Sequence, residues 1–149
     1  METSMIRSLN DFTIQARERG PKRVAVLAPE DEDFMTAVKT GWSMGYIEPV
    51  LIGDIPRMER AAEKTAFDIG GFEKIPCAGH QNISDLGIGM LFSGEVPIAS
   101  KGQIPTSHVY RSIIRGESAA ASGMTVSVVS FWEIPGVDHL VAFTDTGVN

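Results

Sequence analysis

The chain has 149 residues, is 43% hydrophobic and 21% charged, and carries a formal net charge of −6. That length fits one domain of ordinary size with a core that needs no covalent staples, and the acidic balance argues against a nucleic-acid binder, whose phosphate contacts need a basic face. The one cysteine, Cys77, excludes an internal disulfide and a cysteine zinc cluster.

Residues 4–19 read as a helix, with Met5, Leu9, Phe12 and Ala16 at helical spacing and Gly20-Pro21 as its end. The amino terminus has no apolar core of signal-peptide type and no run approaches a membrane span, so neither membrane nor secretion is expected and the expected location is cytoplasmic. Val24 to Ala28 is a continuous apolar run, the pattern of a buried parallel strand. The acids Asp31, Glu32 and Asp33 then open an amphipathic helix with Phe34, Val38, Gly41 and Trp42 on one face, which Glu48-Pro49 should stop. Trp42 and Trp132 are expected in the core.

Val50-Leu51-Ile52 reads as a second buried strand closed by Gly53-Asp54, residues 56–68 as a charged helix, and Lys74 to Cys77 as a weak third strand. The segment 82–93 fits two periods. Leu86, Ile88, Met90 and Phe92 alternate as in a strand, yet a parallel sheet needs a crossover here, so helix is expected despite Gly87 and Gly89. Val96 to Ser100 is the next strand and Thr106 to Arg115 the next helix. Thr125 to Ile134 and His139 to Thr144, joined by Pro135-Gly136-Val137-Asp138, read as an antiparallel hairpin. The expected fold is therefore α/β, a three-layer, mostly parallel sheet with a terminal hairpin, taken as one domain over 1–149.

In such sheets ligands collect beyond the carboxyl ends of the strands. Three of these ends carry polar residues: Glu30 to Asp33, Gly53-Asp54, and Lys101 to Ser107. The third is the best candidate for an anion. Lys101 follows a buried strand, Gly102 permits close backbone approach, and Thr106 or Ser107 can cap a helix whose free N–H groups favour negative charge. Helical spacing puts Ser107, Arg111 and Arg115 on one face, so Lys101 and Arg111 can close on one phosphate, a point charge opposite a planar fork. The plainer reading is a capped helix with a solvated face. The acids Glu30 and Asp31 read first as dipole-complementing, and Asp145, after the last strand, as a further candidate. No histidine has metal-ligand spacing, and no metal or tightly bound cofactor is expected.

These residues resemble a known family. Val24-Ala25-Val26-Leu27-Ala28-Pro29-Glu30-Asp31 and Glu48-Pro49-Val50-Leu51-Ile52-Gly53-Asp54 are similar to the first two strands of phosphate acetyl/butyryltransferases. Lys101-Gly102, Thr106-Ser107 and Arg111 resemble their Lys-Gly…Thr-Ser…Arg segment, and Phe131-Trp132-Glu133-Ile134-Pro135-Gly136 with Thr144-Asp145-Thr146-Gly147-Val148-Asn149 their hairpin and following motif. The resemblance covers nearly the whole chain but about the first half of the family's usual length. It implies half of an isocitrate/isopropylmalate dehydrogenase-like fold with a site in a cleft between two domains. It further implies transfer of an acyl group between coenzyme A, as a substrate, and inorganic phosphate. Lys101, Gly102, Thr106, Ser107 and Arg111 would belong to the phosphate or acyl phosphate side.

The Ser-His pair common in the butyryltransferase-like branch has no counterpart in Val126 to Ser130, and no residue here is a convincing base. The expectation is an incomplete site that needs a complementary carboxy-terminal half or a homo-oligomer. The alternative is a non-catalytic module that binds acyl phosphate or coenzyme A. A phospho-receiver fits less well, because Asp54 follows the second strand rather than the third.

Overall fold

A computed structural model describes residues 6–120 and 127–144, with side chains described to Gly116 in the first span. The elements, in chain order, are α1 (Leu9–Glu18), β1 (Lys22–Leu27), α2 (Glu32–Ser43), β2 (Ile47–Gly53), α3 (Ile55–Lys64) and β3 (Glu73–Pro76). They continue as α4 (His80–Phe92), β4 (Ile98–Lys101), α5 (Thr106–Ala120), β5 (Val129–Trp132) and β6 (Val141–Thr144). They divide into two compact units, Pro21–Ser122 and a smaller one of Met1–Gly20 with Gly123–Asn149.

The larger unit is a four-stranded, all-parallel sheet in the order β3-β2-β1-β4. Successive side chains on a strand point to opposite faces, and both faces are apolar. Val24, Val26 and Leu51 pack with Met35 and Val38 of α2 and Met58, Ala61 and Ala62 of α3. Ala25, Leu27, Val50 and Ile52 pack with Ile83 and Met90 of α4, Ile104, and Val109 of α5. Three layers result, as the βαβ rhythm predicts. The ambiguous segment is the helix α4. Gly87 is buried in it where a Cβ would overlap Leu27, so the glycine that weakens the helix also seats it on β1.

Several boundaries differ from expectation. Glu48-Pro49 does not stop α2 but lies within β2. The helix ends at Ser43 because Gly45 turns left-handed (φ +74°), while Gly45 N–H and Tyr46 N–H bond to the carbonyls of Trp42 and Gly41 at 2.9 Å each. Pro49 is tolerated in β2 because its nitrogen faces the β3 side, one residue before that ladder begins at Val50 opposite Glu73. Helix α3 stops at Lys64, short of residue 68, and the chain then sends Phe67 and Ile69 into the core. Trp42 is not a core residue: it is 46% exposed and rests edgewise on Phe72, 5.5 Å away.

In the smaller unit, Ser8 and Asp11 cap α1 reciprocally, the Ser8 hydroxyl accepting from Asp11 N–H at 3.1 Å. Strands β5 and β6 pair antiparallel, Ser130 opposite Phe143, through a turn in which Val137 N–H bonds to Ile134 C=O and Gly136 has φ +86°. Phe12 packs edge-on against Phe131, ring centres 5.2 Å apart. Trp132 is 57% exposed, again contrary to the expectation of a core residue. Among the described residues no helix is long and apolar enough to cross a membrane.

Candidate functional site

The strand order reverses direction at β1: β2 and β3 build outward on one side and β4 on the other. A crevice beyond the carboxyl ends of the two strands flanking such a reversal is where open α/β sheets hold ligands. Here those ends are Pro29-Glu30-Asp31 after β1 and Lys101-Gly102 at β4, with Leu27 opposite Lys101 in register. Gly102 N–H bonds to Leu27 C=O at 2.7 Å, and a Cβ on Gly102 would overlap the Ala28 carbonyl oxygen and the Phe34 ring. Only glycine fits without movement. Ala28 itself is left-handed (φ 49°), a conformation that costs a non-glycine residue roughly 1–2 kcal/mol.

A groove of about 410 Å³ opens at this edge, lined by Asp31, Asp33, Phe34, Lys101, Gly102 and Gln103. Lys101 is exposed, and its ammonium donates to the Ile104 carbonyl at 3.2 Å, folding over its own loop. A second cleft of about 550 Å³ shares Asp31, Asp33 and Gln103 and adds Glu30 with Arg57, Arg60 and Lys64 of α3.

Four acids of this edge, Glu30, Asp31, Glu32 and Asp54, are bonded within the fold. The Glu30 side chain is 6% exposed; it pairs with Arg57 at 2.7 Å and accepts from Asp54 N–H at 3.1 Å, tying β1 to the start of α3. Asp31 caps α2, accepting from Phe34 N–H at 2.9 Å, and Asp54 caps α3 through Arg57 N–H. Lys64 pairs with Glu32 at 2.6 Å, whereas Arg60 has no ion-pair partner among the described residues.

Thr106 and Ser107 are the first two residues of α5 and not its cap, a position that falls to Pro105. Both are exposed at the helix end. Arg111, one turn further on, donates to Gln81 Oε1 of α4 at 2.8 Å. Gln81 Nε2 in turn donates to Asp85 Oδ1 at 2.9 Å and to Ser112 Oγ at 3.0 Å. The buried Ser112 hydroxyl donates to Asp85 at 2.6 Å, and Arg115 reaches the same carboxylate at 3.3 Å. That hydroxyl, then the Gln81 amide and the charges of Arg115 and Arg111, hold the Asp85 carboxyl below the usual range. His108 meets Gln81 Oε1 through Nδ1 at 2.9 Å, and its ring lies 5.9 Å from that of His80.

Lys101 and Gly102 therefore sit together at the crevice, and Thr106, Ser107 and Arg111 together at the start of α5, but Lys101 and Arg111 share no bonding partner among the described residues. Asp145 lies outside the described residues. Sequence reasoning missed two groups. Arg57, Arg60 and Lys64 recur at i, i+3, i+7 and were legible as one face, but a charged helix reads as solvated. Gln81 and Asp85 are one turn apart, a signal hidden because the expected helix begins at residue 82, whereas α4 begins at His80. No group of three or more His, Cys, Asp and Glu among the described residues is placed to hold a metal.

No family model matches the sequence. A phosphate butyryltransferase of Clostridium acetobutylicum is 26% identical over 145 residues, 97% of this chain and 48% of that protein. A phosphate acetyltransferase of Thermotoga maritima is 27% identical over 140 residues, 94% of this chain and 47% of that protein. Among solved structures, a phosphotransacetylase from Streptococcus pyogenes superposes with a TM-score of 0.74 at 13% identity, over 95% of this chain and 53% of that one. EutD phosphotransacetylase from Staphylococcus aureus superposes at 0.69 and 17% identity, over 94% and 51%. The fold is thus that of phosphotransacetylases, and the resemblance to phosphate acetyl/butyryltransferases runs along nearly the whole chain. The chain spans about half the length of the curated relatives it matches, consistent with their amino-terminal half.

Proposed function

We propose that this chain is the phosphate-binding half of a cytoplasmic phosphate acyltransferase, which moves an acyl group between coenzyme A and inorganic phosphate. The observation that carries the reading is the extent of the likeness: 97% of the chain aligns with a phosphate butyryltransferase. The position of Lys101 and Gly102 at the switch point of the sheet supports it.

In the proposed site Lys101 acts as a point charge and Arg111 as a fork on one phosphate. Thr106, Ser107 and the first N–H groups of α5 supply further donors. Held there, a phosphate oxygen attacks the thioester carbonyl carbon. The C–O bond forms as the carbonyl electrons move to oxygen, and they return as the C–S bond breaks and the thiolate leaves. The cations serve twice, placing the nucleophile and stabilising the negative charge of the tetrahedral species. In the reverse direction the thiol needs a base, and the proposal assigns that group and the remaining coenzyme A contacts to a second half, separate or covalently joined. A second copy of the chain is the other possible source. The exposed Phe131, Trp132 and Phe143 of the hairpin support a surface awaiting a partner.

A coupled assay tests this: acetyl- or butyryl-coenzyme A and phosphate are supplied to the chain alone, then with a polypeptide matching the other half of the relatives. Turnover only in the mixture is expected. Full specific activity of the chain alone would reject the incomplete site. Acetyl phosphate binding with no turnover in either case would make the chain a binding module.

A further inference from the structure

Gln81 stands behind Arg111, and its amide has one chemically permitted orientation. Asp85 is an acceptor and lies 2.9 Å from one end of the amide; Arg111 is a donor and lies 2.8 Å from the other. Reversing the amide would set oxygen against carboxylate and N–H against guanidinium. Gln81 Oε1 therefore faces Arg111 and the His108 ring, and because it only accepts, His108 Nδ1 at 2.9 Å carries the proton. The neutral imidazole is fixed as the Nδ1–H tautomer with its lone pair on Nε2.

We propose that Gln81 is a positioning residue for Arg111, presenting the guanidinium to an anion at the start of α5 while Asp85 fixes the direction of the Gln81 amide. The proposal rests on reading Arg111 as a phosphate ligand. Arg111 is exposed, and among the described residues Gln81 is its sole hydrogen-bond acceptor. A free arginine side chain must give up rotamer freedom on binding. One N–H held by Gln81 reduces that loss and leaves four of the five donors for the ligand. Asp85 is itself anchored by Ser112 at 2.6 Å and Arg115 at 3.3 Å, so the support extends through two side chains to a buried hydroxyl.

Two readouts on the full chain test it. The ring ¹⁵N shifts of His108 in the unaltered protein report the tautomer and need no variant. The Nδ1–H form is expected to predominate, and a predominance of Nε2–H would overturn the proposal. Calorimetric titration with acetyl phosphate then compares Gln81→Met, Arg111→Ala and the pair. Loss of this charge-assisted support is expected to weaken binding roughly tenfold in Gln81→Met. Arg111→Ala should cost less in that background than in the unaltered chain. If Arg111→Ala weakens binding and Gln81→Met does not, the positioning role is wrong and the phosphate reading stands. If Arg111→Ala changes nothing, the phosphate reading falls and the positioning role with it.

Discussion

Ser112 lies buried between α4 and α5, and its hydroxyl is the principal reason that Asp85 stays ionised below the usual range. The carboxyl's pKa is lowered in the folded state, so the stability it contributes is present above its ordinary value of 3.8 and is lost as the pH falls through the lower folded value. Ser112→Ala should cost about 1 kcal/mol near neutrality, allowing for the part exposure of Asp85 to water. The cost should shrink below about pH 4. Urea unfolding at pH 7 and pH 3 checks this, and an equal cost at both would contradict it. Gly102 gives a sharper test. A Cβ there meets a backbone carbonyl, so Gly102→Ala should destabilise by about 1–3 kcal/mol, read from the same midpoints. At this scale the sequence was informative where one residue type permits one geometry, as at Gly102. It was silent where function depends on partners. Nothing near Arg111 in the chain announces Gln81, thirty residues earlier.

At the scale of elements, α4 illustrates how two periods compete. Leu86, Ile88, Met90 and Phe92 alternate, but the buried positions Ile83, Gly87 and Met90 follow a helix. Its two glycines have opposite roles. Gly89 is exposed with open space around its Cα, so Gly89→Ala should stabilise by about 0.5–1 kcal/mol through helix propensity. Gly87→Ala gains the same propensity but drives a methyl into Leu27, and should destabilise by about 1–2 kcal/mol. Thermal unfolding of both variants checks the contrast, and a stabilised Gly87→Ala would show that α4 is not pressed against β1. The helices and buried strands of the larger unit were legible because apolar runs and amphipathic faces leave period-specific traces. Their ends were less so: Gly45 rather than Pro49 ended α2, because a proline whose nitrogen faces no neighbour is compatible with a strand.

For the whole molecule, the order β3-β2-β1-β4 could not be read from the sequence, since parallel strands joined by crossovers carry no local mark of their neighbours. That order is what puts Lys101 beside the end of β1, at the reversal of the sheet. The separate bonding of Lys101 to its own loop and of Arg111 to α4 was equally invisible, because spacing places residues on a helix face but does not say what the face meets. The two units also differ in kind. One closes a core on both faces of its sheet, whereas the other leaves Trp132 and Phe143 open to solvent. The proposed half-site and its partner surface belong to this scale.

The most direct measurement is a calorimetric titration of the chain with inorganic phosphate and acetyl phosphate, repeated for Lys101→Ala and Arg111→Ala. Charge-assisted hydrogen bonds contribute about 1.5–3 kcal/mol each, so each substitution should weaken binding by roughly tenfold or more. Unchanged affinity in both variants, or no binding by the unaltered chain, would contradict the account.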